Sequence, residues 1–204
     1  MRPKQQNFSM TMTTKKLFLS VLAAFLCLAT ASARDNSFGK GNLGINLDYG
    51  IGTFDIDDFG YDDDDFGWHG NVAQSSLGAV IEYGILDGLI KGKGTVTVGG
   101  QLGFGFGSKH NVDYTRVRIA TRGAFHYQFI PQLGTYAGIT CGIVDINKAK
   151  AGEGSEKITD THTRVISPRP FGGIRFMLTD GFGLHSEVSW DNFALWSFGV
   201  TFKF

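Results

Sequence analysis

The sequence predicts an all-β chain whose eight strands form an antiparallel, up-and-down barrel. After residue 34, hydrophobic residues alternate with a period of two rather than 3.6, which is the pattern of strands with two different faces. The 29 glycines are scattered through the 204 residues, and each glycine costs a helix about 1 kcal/mol. The alternating segments are also long enough for tilted strands of about ten residues.

The clearest predicted strand is the C-terminal stretch "ALWSFGVTFKF", where every second residue is apolar. The face so formed contains Trp196, Phe198, Val200, Phe202 and Phe204. In "RVRIATRGAFHYQF", basic residues take one face and apolar residues take the other. Continued along the chain, the pattern predicts strands at about 41–54, 76–87, 94–107, 115–130, 133–146, 168–179, 182–191 and 194–204.

The first 33 residues are predicted to be a secretory signal peptide. Lys15 and Lys16 precede an apolar run over 17–29, and Ala31-Ser32-Ala33 forms an A-x-A cleavage site. The run is too short for a membrane-spanning helix, which needs about 20 residues. We therefore expect two parts, a signal peptide (1–33) and a barrel (34–204), with Met10 or Met12 as a possible true start.

Charge and cysteine content argue against a nucleic-acid-binding protein and against a disulfide-linked one. The chain has 19 basic and 19 acidic residues, and cleavage after Ala33 would remove four basic residues and no acid. A nucleic-acid partner is not expected, because it would require a clustered basic surface. Cys141 is the one cysteine beyond residue 33, so no intrachain disulfide is predicted for the barrel.

The pattern of faces favours a membrane barrel over a soluble one. A soluble carrier of the lipocalin type would point its charges outward, whereas a membrane barrel encloses them. Here charged residues recur in mid-strand, and glycines such as Gly99, Gly103 and Gly105 leave room beside them. Most of the links also alternate between short and long, as in outer-membrane barrels with short periplasmic turns.

If Trp196 and Phe198 face lipid, a polar set should face the interior. Its predicted core is a network of Glu82, Arg116, Arg118, Arg122, Arg175 and Glu187. The same face includes Asn42, Asn46, Asp48, Gln101, His126, His185 and Lys203. Because eight strands leave an interior just wide enough for side chains, we expect a filled barrel. A narrow channel or transporter for small or hydrophobic solutes is the alternative.

The segment "LWSFGVTFKF" resembles the terminal insertion signal of outer-membrane barrels. "SLGAVIEYGILDG" and "GTVTVGGQLGFGFG" resemble hairpins of Bacteroidetes-type versions, so residues 34–204 resemble the OmpA/OmpX-like, porin-like family. The resemblance implies a monomer in the bacterial outer membrane of a Gram-negative cell, reached by export through the inner membrane. The implied partners are membrane lipid, lipopolysaccharide, the barrel-assembly machinery and a possible extracellular ligand at the cell surface.

No catalytic or cofactor-binding residues are predicted. In "HSEVSW", His185 and Glu187 share one strand face while Ser186 takes the other, so they cannot form one catalytic unit. A structural or surface-interaction role is therefore favoured, and the chain is not expected to be an enzyme. A lipid-modifying enzyme and a soluble carrier remain less favoured alternatives.

Two polar segments are predicted to be solvated surface loops. The first contains "YDDDDFGWHG", in which Asp62, Asp63, Asp64 and Asp65 are weak candidates for a divalent-cation contact. Its spacing does not match an EF-hand. The second covers 147–164 and includes His162.

Overall fold

The computed structural model describes residues 38–55, 71–109, 112–151, 157–191 and 193–204. Its strands are β1 (Leu43–Asp55), β2 (Asn71–Gly88), β3 (Gly94–Lys109), β4 (Val112–Ile130), β5 (Leu133–Ala151), β6 (Lys157–Met177), β7 (Phe182–Ser189) and β8 (Trp196–Lys203). Each strand pairs with its neighbours in chain order, and β8 returns to pair antiparallel with β1. The predicted eight-stranded antiparallel barrel is thus confirmed. The predicted signal peptide and the acidic run Asp62–Asp65 lie outside the described residues.

The strands place apolar side chains on the outside and polar ones on the inside. On β2, Gln74 and Glu82 are buried, while Leu77, Ile81 and Tyr83 between and beyond them are about half exposed. The same alternation continues on β3 and β4, where Phe104, Phe106 and Ile119 are outward and exposed. An apolar exterior around a polar interior is the arrangement of a membrane barrel, whose outer face contacts lipid.

The two ends of the barrel differ in their connections. At one end, called here the turn end, the links are residues 89–93, 131–132 and 178–181. In the link after Gly88, Ile90 and Lys91 adopt positive φ angles of 47° and 62°. The opposite end, called the loop end, contains the links 56–70, 110–111, 152–156 and 190–195. Within the described ranges, no helix is long and apolar enough to cross a membrane.

The predicted loop over 147–164 is wrong for most of its length. β5 and β6 pair continuously up to Ala151 opposite Lys157, so only 152–156 remains as the link between them. Thr161, Thr163 and Val165 are β-branched residues that favour strands. A strand whose two faces are both polar does not alternate between apolar and polar residues. Its sequence then resembles that of a loop.

The barrel wall is not equally tall all round. β6 pairs with β5 along nearly its whole length but with β7 only from Phe171 to Met177. On the other side, β1 pairs with β8 only as far as Ile51. Beyond the short β7–β8 hairpin, β1 to β6 therefore continue as an open, six-stranded sheet at the loop end. We call this part the projecting sheet.

Candidate functional site: the charged barrel interior

The inward face of β4 supplies most of the interior cations. Arg116, Arg118 and Arg122 lie at alternating positions with no more than 4% of each residue exposed. Strand register brings Arg122 toward Glu82 of β2, because Gly99 of β3 pairs with both residues and has no side chain between them. The glycine thus leaves the lumen open for a contact between alternate strands.

Glu82 is the centre of the interior network. It is fully buried, and its carboxylate lies 3.1 Å from Arg122 Nε. Arg175 Nη2 donates a hydrogen bond of 2.9 Å to the other oxygen. Arg122 in turn donates to Glu187 at 2.8 Å, which links β2, β4, β6 and β7 across the lumen. Buried ions need partners of this kind, because removal of one partner leaves an uncompensated charge.

A second group extends the network toward β1 and β8. Asn46 accepts hydrogen bonds from Thr201 at 2.9 Å and from Arg175 at 3.4 Å. Thr201 also lies 3.2 Å from His185 Nδ1, and the other nitrogen of this ring is 4.0 Å from Asp48. These contacts connect the last strand to the first and so support closure of the barrel.

The link between β7 and β8 folds into the lumen at the loop end. Asp191 forms an ion pair with Arg118, and Gln74 donates to the carbonyl of Phe193. Gln74 also accepts a 3.0 Å hydrogen bond from Arg116. Asp191 and Phe193 are 3% and 1% exposed. The sequence showed "DNF" only as a short link, and no feature of its pattern indicated that it enters the barrel.

Aromatic rings stack on each arginine of β4 and on Arg175. Phe193 lies beneath Arg116 and Arg118, with guanidinium-to-centroid distances of 5.3 Å and 4.2 Å. Arg122 lies 3.9 Å from Phe171, and Arg175 lies 5.3 Å from both Phe38 and Tyr136. Such contacts stabilise cations most where water is excluded. Among these rings, only the inward position of Phe171 could have been predicted from the sequence, because Phe171 shares a strand face with Arg175.

Apolar residues close the lumen at both ends. At the loop end, a cluster caps the charged interior; its members are Val72, Val112, Tyr114, Val144, Ile146, Ile166, Phe193 and Ala194. At the turn end, Phe38 is 8% exposed and stacks 5.3 Å from His126. A cavity at the turn end measures about 30 Å³, and a second one, between Arg116, Asp191 and residues of β6, measures about 20 Å³. Each has room for one or two water molecules.

The barrel interior separates its carboxylates from Ser186. Its carboxylates engage arginines or a histidine, as the contacts above show, and Ser186 faces outward, where it accepts a 2.7 Å hydrogen bond from Trp196. Among the described residues, no group of histidine, cysteine or acidic side chains could hold a metal ion. Cys141 is a free thiol on the outer surface.

The structure brings the six residues of the predicted polar network into the lumen. Gln101, His126 and His185 are also buried. Asn42 instead lies at the turn-end rim, where it donates to the Phe204 carbonyl, and Lys203 lines the turn-end cavity. On β8, Trp196 and Phe198 are 46% exposed on the outer face, and Phe204 is 70% exposed at the end of the chain.

Comparison with solved structures returns small membrane barrels at low sequence identity. Ail, the attachment invasion locus protein of Yersinia pestis, is 12% identical with a TM-score of 0.49, covering 81% of this chain and 99% of that one. A de novo designed transmembrane barrel is 10% identical with a TM-score of 0.45, covering 82% and 99%. The N-terminal barrel domain of Pseudomonas aeruginosa OprF is 14% identical with a TM-score of 0.40, covering 82% and 100%. No family model and no curated protein match the sequence.

Proposed function

We propose that this protein is a bacterial outer-membrane barrel that anchors a β-sheet at the cell surface, where the sheet contacts other molecules. The observation that carries the proposal is the projecting sheet, which continues past the closed part of the barrel on the β6 side. The closed part has the apolar exterior of a membrane barrel, and side chains fill its lumen. The barrel therefore acts as an anchor, and the projecting sheet is the part available to partners.

The backbone of β6 supports this division. Pro170, on the outward face of β6, directs its carbonyl toward the β7 side, where it accepts from Trp190 N. Further along β6, the outward-facing residues Thr161, Thr163 and Val165 have the same orientation but lie beyond the end of β7. Unpaired backbone groups are not tolerated in hydrocarbon. Among the described residues no strand pairs with this stretch of β6 on its β7 side, so the stretch belongs outside the hydrocarbon core.

An open strand edge fits an extended segment of another polypeptide. Such segments add a strand by backbone hydrogen bonding, and the side chains adjust specificity. Val165 is 74% exposed on this stretch, while Arg164 and Arg169 lie on the opposite face of β6 and line a small cavity with Arg116 and Asp191. Two copies in one membrane share an orientation, so their β6 edges cannot pair antiparallel. We therefore favour an extended segment of a different extracellular protein.

Location and orientation can be tested by cysteine labelling. In a Cys141→Ser background, Thr163→Cys places a thiol on the projecting sheet and Thr179→Cys places one at the turn end; both threonines are exposed. A membrane-impermeant maleimide on intact Gram-negative cells should label position 163 and reach position 179 only after permeabilisation. Recovery of the protein in the periplasm, or the reverse labelling pattern, would refute the proposal.

The role of the edge has its own test. Thr163→Pro removes the backbone N–H of residue 163, which points away from β5, and so should leave the pairing of β6 with β5 intact. Thr163→Val keeps this N–H and is the matched control. Cells are incubated with a randomised library of extended peptides. Cells that carry Thr163→Val should retain a reproducible set of peptides, and cells that carry Thr163→Pro should lose that set. Equal capture by both would exclude strand addition at this edge.

A channel function receives less support. The lumen is closed by Phe38 at the turn end and by the Phe193 cluster at the loop end. We therefore expect the purified barrel to show no steady conductance in planar bilayers. A reproducible unitary current in the wild-type protein would favour the transport alternative.

A further inference from the structure

A small cavity lies in the lumen at the turn end. Its volume is about 30 Å³, and its lining includes Phe38, Thr95, His126, Tyr136 and Arg175. Lys93 and Lys203 also contribute to the lining. The cavity has no part in the surface role proposed above, which concerns the opposite end of the barrel.

Two buried side chains on this cavity have polar atoms without a hydrogen-bond partner. Arg175 uses Nη2 for Glu82 and Asn46, but its Nε and Nη1 are buried and unsatisfied, as is the hydroxyl of Tyr136. Arg175 and Tyr136 are 5% and 4% exposed. A buried donor without an acceptor costs about 1–3 kcal/mol, and more when it is charged. Two such residues on one cavity indicate that something in the cavity accepts from them.

The lining contains cations and neutral polar groups but no carboxylate. Arg175, Lys93 and Lys203 are basic, and Thr95 supplies a further hydroxyl. The nearest acid of the network, Glu82, is already held by Arg122 at 3.1 Å and by Arg175 at 2.9 Å. The electrostatic character of the lining therefore favours a negative occupant.

We propose that this cavity binds a small inorganic anion of about the size of chloride. Water of the same size could accept from Arg175, but it would also have to donate two hydrogen bonds within a lining rich in donors. An anion accepts from Arg175 and Tyr136 together, and the low local dielectric strengthens its attraction to the guanidinium. A volume of about 30 Å³ leaves no room for a larger organic ligand.

The test is a comparison of anions in urea unfolding of the refolded barrel. Sodium chloride and sodium gluconate are compared at equal ionic strength, because gluconate is too large for the cavity. At a chloride concentration ten times Kd, the unfolding equilibrium constant should be about tenfold smaller than in gluconate. Tyr136→Phe removes one donor and should weaken this effect, while Tyr83→Phe, on the exposed outer face, should leave it unchanged.

A second measurement covers the case in which Tyr136→Phe does not fold. Chloride-35 NMR line broadening on the wild-type barrel should be abolished by excess bromide and unaffected by gluconate, and Thr95→Val should reduce it. If chloride and gluconate stabilise the wild type equally and no broadening occurs, the cavity holds only water and the proposal is overturned. A chloride effect of full size in both Tyr136→Phe and Thr95→Val would place the ion elsewhere and overturn it as well.

Discussion

Glu82→Gln should destabilise the barrel by about 3 kcal/mol, because it removes the charge shared by two arginines. Glu82 is fully buried and contacts Arg122 at 3.1 Å and Arg175 at 2.9 Å. Loss of one partner of a buried ion pair costs about 3–5 kcal/mol. The lower end applies because Arg122 retains Glu187 at 2.8 Å and Gln preserves the volume. Arg175 retains no carboxylate within this set, only Asn46 at 3.4 Å.

The assay is urea unfolding in phospholipid vesicles, followed by tryptophan fluorescence. Asp113→Asn is the matched control, since it removes an acid that is exposed on the outward face of β4, and we expect it to change stability by no more than about 0.5 kcal/mol. Adding Arg175→Met to Glu82→Gln should recover at least about 1 kcal/mol, because it removes the cation that has lost its carboxylate. If Glu82→Gln unfolds at the same urea concentration as Asp113→Asn, the contacts of Glu82 with Arg122 and Arg175 do not stabilise the barrel.

Three further outcomes follow from the packing. Phe193→Ala should cost about 3–5 kcal/mol in the same assay, whereas Phe106→Ala on the exposed face should cost much less; equal losses would contradict a packed role for Phe193. A Cβ at Gly103 would lie 2.6 Å from the Phe193 ring, whereas a Cβ at Gly100 would come no closer than 3.8 Å to any surrounding atom of the described residues. Gly103→Ala should therefore lower the free energy of unfolding by about 1–3 kcal/mol, and Gly100→Ala should leave it almost unchanged. Phe204→Ser keeps the backbone hydrogen bonds with Leu43, so the purified variant should still refold in vitro. The amount of barrel assembled into the membrane of cells should fall. If that amount is unchanged, Phe204 is not part of the insertion signal.

Strand identity and facing were predictable because both depend on local alternation. The inward placement of Arg116, Arg118 and Arg122 follows from a period of two on β4, and no long-range information is needed to see it. Glu82, Arg175 and Glu187 follow by the same rule on their own strands. Gly99 was predicted to leave room for an arginine. It lies between Glu82 and Arg122, and an added Cβ would first meet the Ile81 carbonyl of β2.

The predictions failed where polarity was mistaken for the absence of structure. Residues 157–164 are polar, yet they continue β6 because they pair with β5 rather than because one face is apolar. A register shift near Thr140 and Gly142 further changes which residues of β6 face inward. Neither feature leaves a clear trace in hydrophobic periodicity, since backbone pairing does not depend on side-chain polarity.

The sequence by itself determined that the chain forms strands, how many there are and which face of each is charged, because these properties repeat every two residues. Only the tertiary structure decided which charges meet. Arg118 and Asp191 are 73 residues apart and Arg175 and Glu82 are 93 apart, and such contacts depend on closure of the barrel. The entry of Phe193 into the lumen likewise required the closed barrel, because its ring packs against residues from several strands at once.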